Sequence, residues 1–432
     1  MIENFDNFKH VHFIGVGGIG ISAVARMLLG ESKIVSGSDE SVSAVTKSLE
    51  ALGVRIYEKH GAQNIDEDVD LIIYTIAISD DNAELAQAKS LGVPVITYPQ
   101  SLEIISKNKK TIVISGTHGK TTTTSMIATA MIENDFDPTV IVGSILKEWN
   151  SNFLPGKSDY FVVEGCEYKR SFLNLHPYGL VITNIEADHL DYYKDLADIK
   201  SAFRELAERV PVDGFIVTNF ENNSVAEVVT GLACKIIDYK KANISDVSLK
   251  IPGAHNVENA QATYSVLEAL GARSENIKKS LENFSGVWRR FEYIGETSKG
   301  TVVYDDYAHH PTEIKAFLKA ARETFSDKKI LAVFQPHLFS RTKDFLEEFA
   351  QSFGNADEIV ILPIYKAREV DTGEISSQDL VDKITALGQN ARLIEDFAKA
   401  KDYILNNKDE NWVVTTIGAG EANLLAEQLV HI

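Results

Sequence analysis

The sequence predicts an α/β protein with three domains built on mostly parallel sheets. The chain has 432 residues, and at roughly 150 residues per domain this length suits about three domains. Short, mostly apolar runs alternate with helical segments, which is typical of parallel sheets covered by helices on both faces. Polar segments at 106–110 and 295–300 divide the chain into predicted domains 1–106, 107–295 and 296–432.

The runs predicted to be strands are rich in β-branched and aromatic residues. Along the chain they are 11–16, 33–39, 70–76, 111–116, 159–165, 179–185, 301–306, 330–336, 358–364 and 412–418. Side chains at the carboxyl ends of parallel strands face the ligand crevice of an open α/β sheet. Residues that follow these strands are therefore the first candidates for function.

Composition excludes several classes of protein. The formal net charge of -19, from 62 acidic and 43 basic residues, argues against a broad surface for nucleic acid or anionic membranes. Two cysteines are too few for a disulfide scaffold or a multi-cysteine zinc site, and they suit a reducing compartment. No signal peptide is apparent, and no segment approaches the roughly 20 apolar residues of a membrane span. We therefore expect a soluble, cytoplasmic protein.

A glycine-rich loop follows the first predicted strand. Gly15, Gly17 and Gly20 match the GxGxxG pattern between a strand and a helical stretch. Such glycines let the backbone approach a pyrophosphate at a helix N-terminus. Asp39 ends the next predicted strand, where a ribose-binding acid is expected, and Ser22 offers a nearby hydroxyl. The loop indicates a nucleotide-linked ligand, and both a nicotinamide dinucleotide and a UDP-sugar fit the pattern.

A second loop, of a different type, follows the strand at 111–116. It reads Gly116-Thr117-His118-Gly119-Lys120-Thr121, and a Thr-rich helical stretch follows it. Ile114 stands where the usual phosphate loop has its first glycine, so this is a shortened GxxGKT variant. Backbone amides can still cradle phosphates, Lys120 can reach the outer phosphates, and Thr121 can ligate Mg²⁺. The loop predicts nucleoside-triphosphate binding.

Two phosphate loops in one chain disfavour a nicotinamide-dependent oxidoreductase, because such an enzyme needs only the first of them. They favour a protein that binds one nucleotide-linked molecule and also consumes ATP.

Metal ligands are predicted beside the second loop. Glu164 ends one predicted strand and His189 follows another, so both can converge with Thr121 as oxygen and nitrogen ligands for Mg²⁺ or Mn²⁺. Glu167 is a further candidate behind them. The alternative for His189 is a histidine at a helix start, bonded to the neighbouring Glu186 and Asp188.

Polar clusters in the last third of the chain indicate a further site. Two acids, a phenol and two imidazoles lie directly after a strand in the segment 305–311 and are costly to bury for packing alone. Arg289 and Arg290 are suited to holding phosphate oxygens, and Arg341 is another cation at a strand end. The spacing of Asn256 and Asn259 places both on one helix face, where they can hydrogen-bond a base. Cys166 and Cys234 are predicted to be packing residues.

Taken together, these residues resemble the Mur ligase family over nearly the whole chain. The motifs that carry the resemblance are HFIGVGGIGISAVA, GTHGKTTTT, TNIEADHLDYY, IPGAHNVENA, FSGVWRRF, DDYAHHPTEI and FQPHLFSRTKDFLEEFA. The resemblance implies an N-terminal Rossmann-like domain that binds UDP, a central domain of the P-loop ATPase type with a mostly parallel sheet, and a C-terminal Rossmann-like domain that closes over an amino acid.

The resemblance also implies a role for individual residues. For the UDP-sugar they are Gly15, Gly17, Gly18, Gly20, Ser22 and Asp39. For ATP they are Gly116, Thr117, His118, Gly119, Lys120, Thr121, Thr122, Asn256, Asn259, Arg290 and Asp306. The implied Mg²⁺ ligands are Thr121, Glu164 and His189, and the implied contacts to the amino acid or acyl phosphate are Tyr307, His309 and Arg341. Lys120, His309 and Arg341 would be catalytic, with His309 steering or deprotonating the amine.

The activity implied is the ATP-dependent joining of L-alanine to the carboxylate of UDP-N-acetylmuramate in peptidoglycan precursor synthesis, by a cytoplasmic monomer or homodimer. Two departures bear on the amino acid. Leu338 stands where the family often has an arginine, and an EADESD-like segment reads EGCEYKR at 164–170. The alternatives are a ligase of the same family that recycles a preformed peptide, an oxidoreductase, and a nucleotide switch without enzymatic activity.

Overall fold

The computed structural model of the protein describes residues 2–367 and 369–430. Over these residues the chain forms two compact units. The first unit runs to Ser248 and also includes Glu258–Phe284, and the second consists of Leu249–Val257 and the residues from Ser285 onward. Two of the sheets lie in the first unit and one lies in the second.

The first sheet is built from alternating strands and helices. These are β1 His10–Ile14, α1 Ile19–Gly30, β2 Ile34–Ser38, α2 Ala44–Ala51, β3 Arg55–Tyr57, β4 Leu71–Tyr74, α3 Ala83–Leu91, β5 Val95–Thr97 and α4 Tyr98–Ser106. The five strands are all parallel, in the order β3-β2-β1-β4-β5. The carboxyl ends of β1 and β2 therefore lie side by side, and each of these strands leads into a loop that carries predicted site residues.

The second sheet has seven strands in the same unit. Its elements are β6 Lys110–Ser115, α5 Lys120–Glu133, β7 Thr139–Leu146, β8 Ser151–Leu154, β9 Tyr160–Glu164, β10 Pro177–Ile182, α6 Leu196–Ala207, β11 Phe215–Thr218, α7 Asn223–Val229 and β12 Lys235–Asp238. The order is β12-β11-β10-β6-β9-β7-β8, and only the β7–β8 hairpin is antiparallel. The central position of β6 places the second glycine loop between β9 and β10.

After the second sheet, the chain continues through α8 Ala254–Ala269 and α9 Ser274–Asn283. The third sheet and its helices then follow in the second unit. They are β13 Glu292–Glu296, β14 Val302–Asp306, α10 Pro311–Thr324, β15 Lys329–Phe334, α11 Phe339–Asp344, α12 Leu346–Ala350, β16 Glu358–Ile361, α13 Ser377–Ala386, β17 Ala391–Leu393, α14 Phe397–Asn407, β18 Trp412–Ile417 and α15 Ala422–Val430. The six strands run in the order β13-β14-β18-β15-β16-β17, with only β13–β14 antiparallel.

One continuous hydrophobic core joins the two sheets of the first unit. It includes Phe13 and Leu28 around the first sheet, and Phe161 and Phe203 around the second, each fully buried. Burial of apolar area contributes roughly 25 cal/mol per Å², so a shared core resists separation of the two sheets. The first glycine loop is thus held in a fixed position relative to the central sheet.

The predicted fold class is confirmed, and each predicted strand coincides with an observed one. The run at 159–165, for example, is β9 Tyr160–Glu164. The observed strands outside the predicted runs are β3, β5, β7, β8, β11, β12, β13 and β17, and three of them, β3, β5 and β17, have only three residues each. A strand this short gives too few residues for an alternating or continuous apolar pattern. Among the helices of the described ranges, none is both long and apolar enough to cross a membrane.

A buried ion pair fixes the start of the second unit. Arg289 donates from Nε to Asp305 at 2.8 Å, from Nη2 to the Gly418 carbonyl at 2.6 Å and from Nη1 to the Gly420 carbonyl at 3.0 Å. The Asp305 side chain is fully buried, and its other oxygen accepts a hydrogen bond from Thr416 at 2.6 Å. The guanidinium thus links β14 to the loop after β18.

We expect Arg289→Ala to destabilise the second unit by about 3–5 kcal/mol, because it leaves the buried Asp305 carboxylate without its cation. Urea unfolding followed by tryptophan fluorescence would measure the loss. The matched control is Lys343→Ala, which removes an exposed ion pair with Glu374 in the same unit and should leave the free energy of unfolding nearly unchanged. Equal, small effects of both variants would contradict this role of Arg289.

Candidate functional site: two glycine loops and a cluster of acids and histidines

The first glycine loop folds back over the end of β2. Gly15 has a φ of +78°, in the left-handed region that favours glycine. The amides of Gly15 and Val16 both donate to the Ser38 carbonyl, at 2.8 and 3.1 Å. Gly18 precedes α1, and no side chain caps this helix. The first N–H groups of α1 are therefore available to an anion.

The carboxylate of Asp39 is hydrogen-bonded to this loop. Its Oδ2 accepts the amide of Gly17 at 2.9 Å, and its Oδ1 accepts the amide of Ser41 at 3.0 Å. A Cβ at position 17 would lie 2.8 Å from the same Oδ2, so glycine is needed there for the close approach. The carboxylate shapes the loop, and its predicted contact with a ribose stays a prediction.

Ser22 lies inside the first unit. Its side chain is fully buried, donates to the Ile19 carbonyl at 2.8 Å, and accepts from Asn152 Nδ2 at 2.9 Å. Asn152 belongs to β8 and also donates to the Ile19 carbonyl. The structure therefore gives the Ser22 hydroxyl a role in joining α1 to the central sheet, and its predicted contact with the UDP-sugar stays a prediction.

The second glycine loop depends on two residues after β10. Gly116 has a φ of +133°, and a Cβ there would lie 2.0 Å from Thr183 Oγ1. The amide of Thr117 donates to the Asn184 carbonyl at 3.0 Å, and the amide of His118 donates to Asn184 Oδ1 at 2.9 Å. Gly119, with a φ of +82°, leads into α5. The predicted strand, loop and helix are all present, although the loop is shorter than the usual pattern.

Lys120 begins α5 and its amine turns back over the loop. The Nζ atom donates to the Gly116 carbonyl at 2.6 Å, the Thr117 carbonyl at 3.0 Å and Glu167 Oε1 at 3.0 Å. Burial lowers the pKa of Lys120, but the charges of the Glu167 and Glu164 carboxylates outweigh it and raise the pKa above its ordinary value. The ammonium is therefore charged and held at the loop.

Glu164, at the end of β9, contacts the residue after Lys120. Its Oε2 accepts a hydrogen bond from Thr121 Oγ1 at 3.2 Å, and its Oε1 accepts the amide of Gly143 at 2.6 Å. Two of the three predicted metal ligands are thus in direct contact. Thr122, the next residue of the loop, is buried in the first turn of α5.

His189 lies in a cluster with two carboxylates. Its Nε2 is 3.9 Å from Glu167 Oε1 and 3.8 Å from Asp188 Oδ2, and its backbone amide donates to Asp188 Oδ1 at 2.7 Å. One ligand atom from each of these three residues lies within 4.8 Å of the others. Glu167 is 3% exposed, and its Oε2 atom is buried with no hydrogen-bond partner among the described residues.

This donor set fits a divalent cation. Carboxylates with one imidazole suit Mg²⁺ or Mn²⁺, and the buried, unpaired Glu167 oxygen is an atom that a cation would satisfy. The sequence reasoning ranked Glu167 behind the others and treated Asp188 only as a neighbour of His189. The segments EGCE (164–167) and EADH (186–189) contain Glu167 and Asp188. Only the folded chain shows that these two acids lie together.

Asn256 and Asn259 both lie in α8, as the spacing predicted. Asn259 Oδ1 accepts from Thr123 Oγ1 at 3.0 Å and would be 2.7 Å from a Cβ at Gly119. Asn256 Nδ2 donates to the Pro252 carbonyl at 2.7 Å. Asn259 is therefore adjacent to the phosphate loop, within the first unit.

In the second unit, the two adjacent arginines have different surroundings. Arg289 is buried by the ion pair with Asp305, so the suggestion that it holds phosphate oxygens is wrong. Arg290 is half-buried, with its guanidinium 5.2 Å from the centre of the Tyr307 ring. Of the pair, Arg290 is the one for which a contact with the nucleotide stays a prediction.

Asp306 ends β14 and is 8% exposed. It accepts the amides of Phe291 at 2.7 Å and Ala308 at 2.8 Å. Burial raises the pKa of Asp306 to about 6, against Arg290 and the two amides, which favour the charged form. A carboxyl with such a pKa, next to a cation at a strand end, is typical of functional sites.

Tyr307, His309 and Arg341 lie near one another in the second unit. The rings of Tyr307 and His309 are 5.4 Å apart, edge to face. His309 Nδ1 is 3.0 Å from the Tyr307 carbonyl and 3.4 Å from Glu313 Oε2. His337, 6.2 Å from the His309 ring, has its Nδ1 atom 3.5 Å from Arg341 Nη1. His337 thus lies between His309 and Arg341. The sequence reasoning did not identify it as a site residue.

The two cysteines differ. Cys234 is buried, as predicted for a packing residue, whereas Cys166 is exposed and lies between Glu164 and Glu167. The packing prediction is wrong for Cys166, because the segment after β9 faces the site instead of the core.

We expect Gly116→Ala to cost about 2–4 kcal/mol of unfolding free energy and to weaken phosphate binding, because the new methyl group clashes with Thr183 in a left-handed conformation. Urea unfolding and nucleotide titration would measure both effects. Gly30→Ala is the control, since a Cβ there meets open space at the end of α1 and should be neutral or slightly stabilising. A Gly116→Ala protein as stable as this control would contradict the account of the loop.

A second prediction concerns pH and Asp306. Its pKa of about 6 in the folded protein exceeds the ordinary value of 3.8, so between about pH 4 and 6 the folded protein keeps a proton that the unfolded chain has released. This group's contribution to the free energy of unfolding therefore falls as the pH rises through that window, by on the order of 2–3 kcal/mol. Asp306→Asn should remove this dependence.

The measurement is urea unfolding of the wild type and Asp306→Asn at pH 4 and pH 7. Relative to the wild type, the variant should gain 2–3 kcal/mol between the two values, of the order set by the pKa difference. Asp382→Asn, at an exposed position in the same unit, is the control and should change little. An unchanged difference between wild type and Asp306→Asn would show that Asp306 titrates normally.

Comparisons with known proteins bear on the whole chain. Family profiles match residues 10–110 (Mur ligase family, catalytic domain), 114–247 (Mur ligase middle domain) and 289–420 (Mur ligase, glutamate ligase domain). The UDP-N-acetylmuramate–L-alanine ligase of Acetivibrio thermocellus is 43% identical over 98% of this chain and 96% of its own length.

Two solved structures are similar over nearly the full length. The UDP-N-acetylmuramate-alanine ligase of Thermotoga maritima has a TM-score of 0.83 at 29% identity, with 98% of each chain covered. A murein peptide ligase of Psychrobacter arcticus has a TM-score of 0.73 at 22% identity, also with 98% of each chain covered. The second likeness concerns the fold alone.

Proposed function

The chain belongs to the Mur ligase family, and from that premise we propose that it is an ATP-dependent ligase that joins L-alanine to the carboxylate of UDP-N-acetylmuramate. The observation that carries the proposal is the full-length similarity to a ligase of that specificity at 43% identity. The two glycine loops support it, because the reaction needs one site for a nucleotide-linked sugar and another for ATP.

The chemistry explains why ATP is needed. A free carboxylate does not readily form an amide, because its leaving group would be oxide or hydroxide. Transfer of the γ-phosphoryl group of ATP to the carboxylate gives an acyl phosphate and ADP. The uncharged amine of L-alanine then attacks the carbonyl carbon, and the tetrahedral intermediate expels inorganic phosphate and releases a proton.

The second glycine loop would hold ATP. The backbone of Gly116 to Thr122 offers amides at the start of α5, and Lys120 supplies a fixed positive charge close to the transferred group. The Lys120 amine is hydrogen-bonded to Glu167 at 3.0 Å. It can exchange this carboxylate for an outer phosphate without leaving the loop. We assign Asn256, Asn259, Arg290 and Asp306 to the surroundings of the nucleotide.

A divalent cation would be held beside this loop by Thr121, Glu164 and His189, and we infer Mg²⁺, with Mn²⁺ as an alternative. When bound, it would neutralise charge that develops on the phosphate oxygens. Glu167 and Asp188 lie next to His189, and the buried Glu167 Oε2 would be a further ligand for the cation.

The UDP-sugar would bind at the first glycine loop, with its diphosphate at the start of α1. We assign Gly15, Gly17, Gly18, Gly20 and Ser22 to this contact, and Asp39 to the ribose. Ser22 would act through the position of α1, since its hydroxyl is bonded inside the protein.

The amino acid would be held by Tyr307, His309 and Arg341. The His309 ring lies beside the Tyr307 carbonyl and the Glu313 carboxylate. We propose that it takes the proton from the amine or fixes the amine for attack. Leu338 is buried at the start of α11, with a φ of +72°. Because this position is not an arginine, we assign the carboxylate of the amino acid to Arg341 on the same segment.

We further propose the three domains 1–106, 107–295 and 296–432, a cytoplasmic location, and a monomer or homodimer. The strand β13, Glu292–Glu296, spans the second of these domain boundaries.

The test is phosphate release from ATP by the purified protein with Mg²⁺ and UDP-N-acetylmuramate. L-alanine, glycine, L-serine and a tripeptide are offered separately, and the products are identified by mass. We expect release only when the sugar nucleotide and L-alanine are both present. Lys120→Met should lower the rate by about 10²-fold, whereas Lys241→Met, at an exposed lysine of the same unit, should not.

Release with the tripeptide alone would assign the chain to peptide recycling instead. Nucleotide binding without release for any acceptor would refute the ligase proposal.

A further inference from the structure

Tyr98 reaches the first glycine loop from another helix. It is the first residue of α4, and its phenol packs against Gly20, the last glycine of the GxGxxG motif. A Cβ at Gly20 would lie 2.6 Å from the Tyr98 hydroxyl oxygen and 2.8 Å from Cζ. The hydroxyl is therefore beside the first turn of α1.

The Tyr98 hydroxyl is not used to hold the fold. Within residues 2–367 and 369–430 it makes no hydrogen bond to the protein, and it is not among the buried unsatisfied atoms. Two other tyrosines of this unit behave differently. The hydroxyl of Tyr193 donates to the Glu167 carbonyl at 2.5 Å, and that of Tyr239 donates to the Thr183 carbonyl at 3.0 Å. Tyr98 thus keeps a donor that solvent or a ligand can use.

The surroundings of this phenol decide its charge. Burial raises the pKa of Tyr98, and the negative charge of Glu164 raises it further. The phenol is therefore neutral and carries its proton, as a hydrogen-bond donor to an anion requires. It lies beside the first glycine loop.

The Tyr98 side chain packs against the hydrophobic core that the two sheets share. Asn152 of β8 donates to Ser22 and to the Ile19 carbonyl in the first turn of α1, and the shared hydrophobic core packs behind it. The hydroxyl is therefore presented to the start of α1 without a rearrangement of the unit.

We propose that Tyr98 is a further substrate-binding residue, whose hydroxyl donates a hydrogen bond to the diphosphate of the UDP-sugar. The inference rests on the proposed function for the identity of that ligand. The backbone N–H groups at the start of α1 supply donors on one side of the diphosphate, and the phenol adds a donor from α4. A neutral donor suits this place, since it adds a hydrogen bond without adding a charge.

The test is the direct binding of UDP-N-acetylmuramate and of UDP, each measured by calorimetry on the full chain. Tyr98→Phe keeps the ring on Gly20 and removes only the hydroxyl. A hydrogen bond to a charged group predicts about a 10- to 100-fold rise in the Kd of both ligands. The affinity for a nonhydrolysable ATP analogue and the Tm should stay unchanged.

The matched control is Tyr160→Phe. Tyr160 is half-buried at the opposite end of β9 from Glu164, and its ring packs edge to face on Phe136 at 5.6 Å. This variant should bind both ligands as the wild type does. In turnover, Tyr98→Phe should raise the KM for the sugar nucleotide with little change in kcat, as expected when a contact is the same in ground and transition states.

An unchanged Kd for Tyr98→Phe would overturn the inference, and so would a loss seen with UDP-N-acetylmuramate but not with UDP, because the acceptor would then not be the diphosphate. The proposed function is tested separately. If the wild type binds the sugar nucleotide but joins no amino acid to it, the ligase proposal fails while the two Kd values still decide the role of Tyr98. If the wild type binds neither ligand, both fail.

Discussion

The close approach of Gly116 to the segment after β10 is the constraint on which the central site depends. The loop can take its shape only because position 116 has no side chain, and because Thr183 and Asn184 receive and donate its hydrogen bonds. Those two residues stand there because β10 lies next to β6 in the parallel sheet. The position of Lys120 follows from the loop, and the nearby Glu167 carboxylate then balances its charge.

A second dependence joins the first sheet to the central one. Their common core makes one unit of two sheets that the sequence places in separate domains. Asn152 strengthens this union at the point where the first glycine loop becomes α1. This union bears on the proposed reaction, in which a substrate held at the first loop and a phosphate held at the second would have to meet within a few ångströms for a phosphoryl group to pass between them.

The sequence alone predicted what depends on local pattern. Apolar runs located ten of the strands, and glycines at fixed offsets located both loops, because strand formation and tight turns depend largely on neighbouring residues. It did not show that Arg289 forms an ion pair with Asp305 or that Lys120 forms one with Glu167. Nor did it show that His337 lies between His309 and Arg341. Each of these pairs connects residues brought together by the order of strands in a sheet, and no short-range pattern records that order. The roles assigned to the site residues stay predictions that the experiments above test.

The structural role of Asp39 affects what can be inferred from an acid at this position in related sequences. Its carboxylate binds the Gly17 amide, so it maintains the first glycine loop whether or not a ribose is present. Selection for a folded loop and selection for a bound nucleoside would therefore preserve the same acid. An acid at this position in distant relatives would therefore indicate first that the loop has the same backbone shape. A relative that binds a different ligand could keep the same acid.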